Sequence, residues 1–244
     1  MPQPLLGHLI ELRMRLIYCL VALGLGAGIS YPFSSDIFHL LTQPFWEAGG
    51  KRMIYTGLTE AFLTYLKITV VSGSVLALPV ILWQGWLFMR PGLHAHERRV
   101  LWLIVIASPL LFLLGAGMAY FIVCPLAWKF FLSFETPSLH LEARMSEYLS
   151  LILKLITAFG ICFQLPLVIL GLFKMGFLSL QTLTSKRKYA FLSIVIVAAV
   201  LTPPDMISPL LLIIPLYGLY ELSVGVIYWT QPKEGMLSLG NPRP

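Results

Sequence analysis

At 244 residues, 58% hydrophobic and only 11% charged, with a mean hydropathy of +0.84, the chain lies far outside the roughly 45–50% apolar, about 25% charged make-up of soluble domains. That composition excludes a soluble fold, and continuous apolar runs of about 20 residues, without strand-like alternation, predict membrane helices and not a barrel. The formal charge of +6 comes from basic residues set between apolar runs, where membrane topology accounts for them, so no nucleic-acid partner is implied.

In chain order, an amphipathic lead-in with Ile10, Arg13 and Ile17 at helical spacing enters a first span, residues 16–33, retained as a helix and not removed as a signal peptide. Its Gly24, Gly26 and Gly28 invite close helix approach. Residues 34–65 mix both charge signs with prolines and glycines, which predicts a structured extramembrane loop, with Phe45 and Trp46 at headgroup depth. Span two covers 66–87, with Pro79 as a kink. A polar interruption, FMRPGLHAHERR at 88–99, leads to span three at 100–123, which carries the GAG of 115–117. A second connection, 125–147, offers Ser146 as a cap for span four at 148–173, inside which lie Lys154 and Gln164. Span five, 189–201, is stopped by Thr202-Pro203-Pro204-Asp205; its 13 residues rise only about 20 Å against a hydrocarbon core of about 30 Å. Span six, 206–228, is interrupted by Pro209 and Pro215 and carries Glu221, and a proline-rich tail, 229–244, reads as disordered. The whole is one all-α membrane domain of six helices.

Six spans place both termini on one side. That side holds eleven Lys+Arg against four acids, a formal +7, while the other holds six against seven, −1. The positive-inside rule makes the basic side, and both termini, cytoplasmic.

No catalytic set is present. The five histidines lack partners at metal-ligand spacing, and Cys19, Cys124 and Cys162 fall in apolar runs without CxxC spacing, as buried small hydrophobes. Enzyme activity is disfavoured. Polar groups inside apolar runs are expensive and point to function or to a satisfied interhelical bond. Gln164 suits either reading, Glu221 must find a cation or stay protonated, and Lys154 is close enough to a helix end to snorkel. Glu11 and Glu97 lie on the basic rim, each beside arginines. Spacing alone makes them ordinary ion pairs, Glu11 with Arg15 at i, i+4. The other reading is a pair of acids receiving a basic ligand.

Four motifs in order, HLIELRMRL at 8–16, FMRPGLHAHERR at 88–99, FGICFQLPLV at 159–168 and AAVLTPPDMISPLLLIIPLYGLYE at 198–221, resemble the TatC subunit of the twin-arginine protein translocase. The resemblance implies a cofactor-free receptor for signal peptides bearing paired arginines. It implies work alongside single-span TatA/TatB-type subunits, in an oligomer within membrane lipid, moving folded proteins on the proton-motive force. It also implies a cupped, six-span bundle in the prokaryotic inner membrane. In that family the acids matching Glu11 and Glu97 bind the arginine pair, with Arg13, Arg98, Phe88 and Leu93 around them and Asp205 at the tip of the last hairpin. Gln164 stands where many members have Glu, which leaves it a hydrogen-bonding role, and Pro209 stands where glutamine is expected. The rival classes are a secondary transporter of a small solute, with Gln164 and Glu221 as raw material, and a structural scaffold.

Overall fold

The computed structural model describes residues 4–89, 98–136, 141–174, 176–201 and 207–230. Helix α1 (Pro4–Ser30) passes through a single 3-10 turn, Tyr31–Phe33, into α2 (Ser34–Glu47). A two-residue strand β1 (Met53–Ile54) precedes α3 (Glu60–Met89). Helix α4 (Arg98–Met118) continues through a π-helical turn, Ala119–Val123, into α5 (Cys124–Leu132). Strand β2 (Ala143–Arg144) pairs in parallel with β1, and α6 (Met145–Cys162), α7 (Leu165–Lys174), α8 (Leu180–Ser185), α9 (Arg187–Leu201) and α10 (Ile207–Thr230) complete the chain.

Pairs of contacts give the directions. Arg15 reaches Gln84 while Gly26 meets Gly73, so α1 and α3 are antiparallel. Ser108 meets Gln164 while Gly115 meets Phe159, so α4 and α6 are antiparallel too. Glu60 accepts a bond from the Ser146 N–H, so α3 and α6 start side by side. One end of the bundle therefore gathers the start of α1, the end of α3, the start of α4 and the α8–α9 region, where the Tyr220 hydroxyl of α10 donates to the Leu183 carbonyl. This is the basic end.

Among the described residues, five segments are long and apolar enough to cross a membrane: 9–47, 60–85, 106–132, 145–174 and 209–229. The expected fifth span is α9, whose 15 residues rise only about 22 Å.

Several expectations change. Residues 34–47 form a regular helix set directly on α1, and Phe45, expected at headgroup depth, is completely buried. It packs edge-on against Trp128 and Tyr148, whose own rings stack at 4.6 Å. The Tyr148 hydroxyl donates to the Leu41 carbonyl at 2.9 Å, so this cluster locks α2, α5 and α6 together. The second connection is shortened because the helix runs on past Pro125: the Cys124 N–H bonds the Ala119 carbonyl in the π-helical turn, and the missing Pro125 donor falls at the end of that wider turn. Pro209 likewise falls in the first turn of α10, which runs unbroken through Pro215. The break comes instead in span four: Pro166 has no N–H to offer Cys162, and the helix stops there and restarts at Leu165. Ser146 is not the cap of α6; Arg144 holds that position and makes no side-chain cap bond. Trp229 and Thr230, assigned to the tail, close the last turn of α10, and 231–244 lie outside the described residues.

Of the four glycines in α1, Gly7, Gly24, Gly26 and Gly28, only Gly26 serves close approach. A Cβ there would run into the Gly73 backbone, and one on Gly73 into Ala27, whereas Gly24 and Gly28 face open space. Gly26→Val should therefore force the helices apart and cost about 1–3 kcal/mol, read as a lower unfolding temperature of the purified protein. Gly24→Val, a matched control on the same helix, should leave that temperature unchanged.

Candidate functional site

Glu11 lies on the third turn of α1, and Arg15 one turn on. The Arg15 Nε donates to Glu11 Oε1 at 3.1 Å and its Nη2 meets the same oxygen. Nη1 reaches Gln84 Oε1 on α3 at 3.4 Å, which ties the pair to the neighbouring helix. Among the described residues Glu11 Oε2 is left open to a further donor. The pair is only partly exposed, Arg15 at 19% and Glu11 at 34%, so water screens it less than a free surface pair.

Arg13, two positions from Glu11, is exposed and points to another side of the helix. Phe88 is half-buried at the penultimate residue of α3, and Arg98 is the first residue of α4. Leu93 and Glu97, in the connection between them, lie outside the described residues, as does Asp205 between α9 and α10. The backbone thus brings Glu11 to the end of α3 from which the Glu97 connection departs.

Gln164 occupies the break between α6 and α7. Its Oε1 accepts from the Ser108 hydroxyl at 2.8 Å, and its Nε2 donates to the Ser108 carbonyl at 3.0 Å and, longer, to the Gly160 carbonyl at 3.4 Å. Ser108 is buried, so each polar end of the amide meets its complement across a helix interface. Glu221 has found its cation: Arg187 Nη2 donates to Oε2 at 3.0 Å, and the Tyr217 hydroxyl donates to Oε1 at 3.0 Å. This ties the first residue of α9 to α10. Lys154 is exposed, consistent with snorkelling.

The sequence reading missed Glu60, which organises the opposite end. Its Oε2 accepts from the backbone N–H groups of Thr56 at 2.8 Å and Gly57 at 3.1 Å, and its Oε1 from the Ser146 N–H at 3.3 Å. Arg144 Nη2 stands 3.8 Å from the carboxylate and donates to the Thr56 hydroxyl at 2.6 Å. One carboxylate therefore closes the turn before α3 and caps the start of α6. The signal was an acid opening a helix just after a glycine turn, a capping pattern passed over as loop composition. Lys67, one face further along α3, donates to the Ser150 hydroxyl at 3.2 Å.

Among the described residues no group of three or more His, Cys, Asp or Glu is placed to hold a metal ion. Cys19, Cys124 and Cys162 are free thiols, the last two buried.

The sequence model for the "Sec-independent protein translocase protein (TatC)" family matches residues 7–215. The chain belongs to the TatC family. It is 44% identical over 223 residues to the Sec-independent protein translocase protein TatC of Magnetococcus marinus, covering 91% of this chain and 82% of that protein. With the TatC of Escherichia coli K12 it shares 39% identity over 224 residues, 91% of this chain and 87% of that one. A crystal structure of a twin-arginine translocase receptor, TatC, matches with a TM-score of 0.79 at 38% identity, over 90% of this chain and 98% of the other. The protein is thus a membrane subunit of a Sec-independent protein translocase, and the small-solute transporter reading is not favoured.

Substituting Gln164→Leu should strand the buried Ser108 hydroxyl and destabilise the α4–α6 interface by about 0.6–2 kcal/mol. In a double-mutant cycle Ser108→Ala should then add less to Gln164→Leu than it costs alone, measured by unfolding in detergent; full additivity would show that the two side chains do not interact.

Proposed function

We propose that this TatC-family chain is the signal-peptide receptor of its translocase, binding the paired arginines of folded precursor proteins that are moved across the membrane on the proton-motive force. The observation that carries this reading is Glu11, a partly exposed carboxylate that holds one guanidinium with Oε1 and, among the described residues, has no partner at Oε2. Glu97, on the connection that leaves the adjacent end of α3, is the second acid. A planar guanidinium suits a carboxylate bidentately and an ammonium does not, so two acids on one rim select arginines over lysines. The apolar remainder of the signal peptide lies along the lipid-facing helices, with Phe88 and Leu93 as shoulders at the rim, Arg98 next to Glu97 in the sequence, and Arg13 on another side of α1 from Glu11.

In this reading the basic end of the bundle faces the cytoplasm with both termini, as the +7 against −1 distribution asks. The host membrane is the prokaryotic inner membrane. Helix α9 counts as the sixth crossing, in a locally thinned bilayer that accommodates its shortfall of roughly 8 Å. The subunit works as an oligomer with single-span TatA/TatB-type partners, and Asp205 marks the tip of the last hairpin. It belongs to a protein carrier, not an enzyme.

Photocrosslinking of a paired-arginine signal peptide to membranes containing Glu97→Gln or Glu11→Gln tests this. Crosslinking should fall at least tenfold for either variant while the protein inserts at its normal level; undiminished crosslinking in both variants would overturn the assignment.

A further inference from the structure

Helices α7 and α9 each pack on α10 but scarcely on one another, which leaves a cleft of about 450 Å³ between them. Val168 and Ile169 form its α7 wall, Leu216 and Tyr220 its α10 floor. The α9 wall is Ala190, Ser193, Ile194 and Val197, whose spacing is that of one helix face. The Tyr220 hydroxyl is already committed to the Leu183 carbonyl at 2.7 Å, which leaves the Ser193 hydroxyl and the free Cys162 thiol as the polar groups among the described lining residues.

At the basic end this face continues onto Lys186, four residues before Ala190 and three after Leu183, which also lines the cleft. The Ala190 N–H bonds the Lys186 carbonyl at 3.1 Å, so Lys186 stands directly before the first turn of α9. Lys186 and Lys188 are exposed. Among the described residues neither has a carboxylate partner, because Glu221 beside them is taken by Arg187 and Tyr217. An apolar slot topped by cations that have no carboxylate partner among the described residues, Lys188 lying over the Tyr189 ring at 5.2 Å, matches one kind of molecule. We propose that the cleft holds an acyl chain of an anionic phospholipid, its phosphate meeting Lys186 and Lys188 at the basic end.

The dimensions favour a chain over a protein helix. Ala190 to Val197 rises about 10.5 Å, so the 450 Å³ volume has a mean cross-section of roughly 43 Å². A helix 10 Å across presents about 79 Å², close to twice that. A hydrocarbon tail fits within the cleft; a partner helix would remain mostly outside it.

Native mass spectrometry of the full-length protein, released from nanodiscs of mixed phosphatidylglycerol and phosphatidylcholine, reads the site directly. The wild type should retain phosphatidylglycerol preferentially, the double substitution Lys186→Gln and Lys188→Gln should cut that preference about tenfold, and Lys51→Gln at the opposite end should leave it unchanged. Ser193→Trp, which fills the cleft, should abolish retention of the lipid. Equal retention of the two lipids by the wild type, or retention undisturbed by Ser193→Trp, would overturn the proposal. A photocrosslinker at position 197, in native membranes, distinguishes the occupants without relying on the filled variant: capture of lipid supports the proposal, and capture of a partner subunit or a second copy in its place refutes it.

Discussion

A hydrocarbon solvent offers no water to an unpaired polar group, and among the described residues Gln164, Glu221 and Glu60 are each held where other side chains or backbone atoms meet them, while the buried Trp128 Nε1 has no partner. Gln164 meets both the hydroxyl and the carbonyl of Ser108. Glu221 meets Arg187 and Tyr217, and Glu60 meets backbone N–H groups from two separate segments. Helix association in lipid gains little from hydrophobicity, because the tails are as apolar as the side chains. These polar clasps, together with backbone-to-backbone contact at Gly26 and Gly73, give the bundle its register.

The two ends of the bundle use the constraint differently. At the end away from the rim, β1 pairs with β2 and Glu60 bridges α3 to the start of α6, so two connections far apart in sequence become one unit. The Phe45, Trp128 and Tyr148 cluster extends that unit under α2. At the basic end Arg15 joins Glu11 to Gln84 and Arg187 joins α9 to α10, yet among the described residues Glu11 Oε2 has no partner and Lys186 and Lys188 have no acid. Rigid support lies opposite the surface on which ligand charge is to be met.

Much of this was legible in the chain because membrane helices obey length and hydropathy, and because polar residues within apolar runs are few enough to be weighed singly. Glu11 with Arg15 followed from i, i+4 spacing, and Glu221 was required to find a cation before Arg187 was known to supply it. Illegible were the features that depend on contacts between distant segments. Nothing local says that the Glu60 carboxylate reaches Ser146, 86 residues on, or that Phe45 is buried by Trp128 and not set among headgroups. Prolines misled in both directions, since their effect depends on position within a helix. Pro125 falls at the end of a π-helical turn and Pro209 in a first turn, while Pro166 breaks the span that looked whole.

Recognition of guanidinium groups by rim carboxylates is the central proposal, and inside the chain Arg15 meets Glu11 through Oε1 alone. A binding cycle measures it most directly: affinity of the purified protein, and of its Glu11→Gln and Glu97→Gln forms, for a signal peptide with its arginine pair intact or replaced by glutamine. Direct pairing predicts a coupling energy of about 1.5 kcal/mol or more between peptide arginine and receptor acid. Losses that simply add, with coupling near zero for both acids, would contradict it.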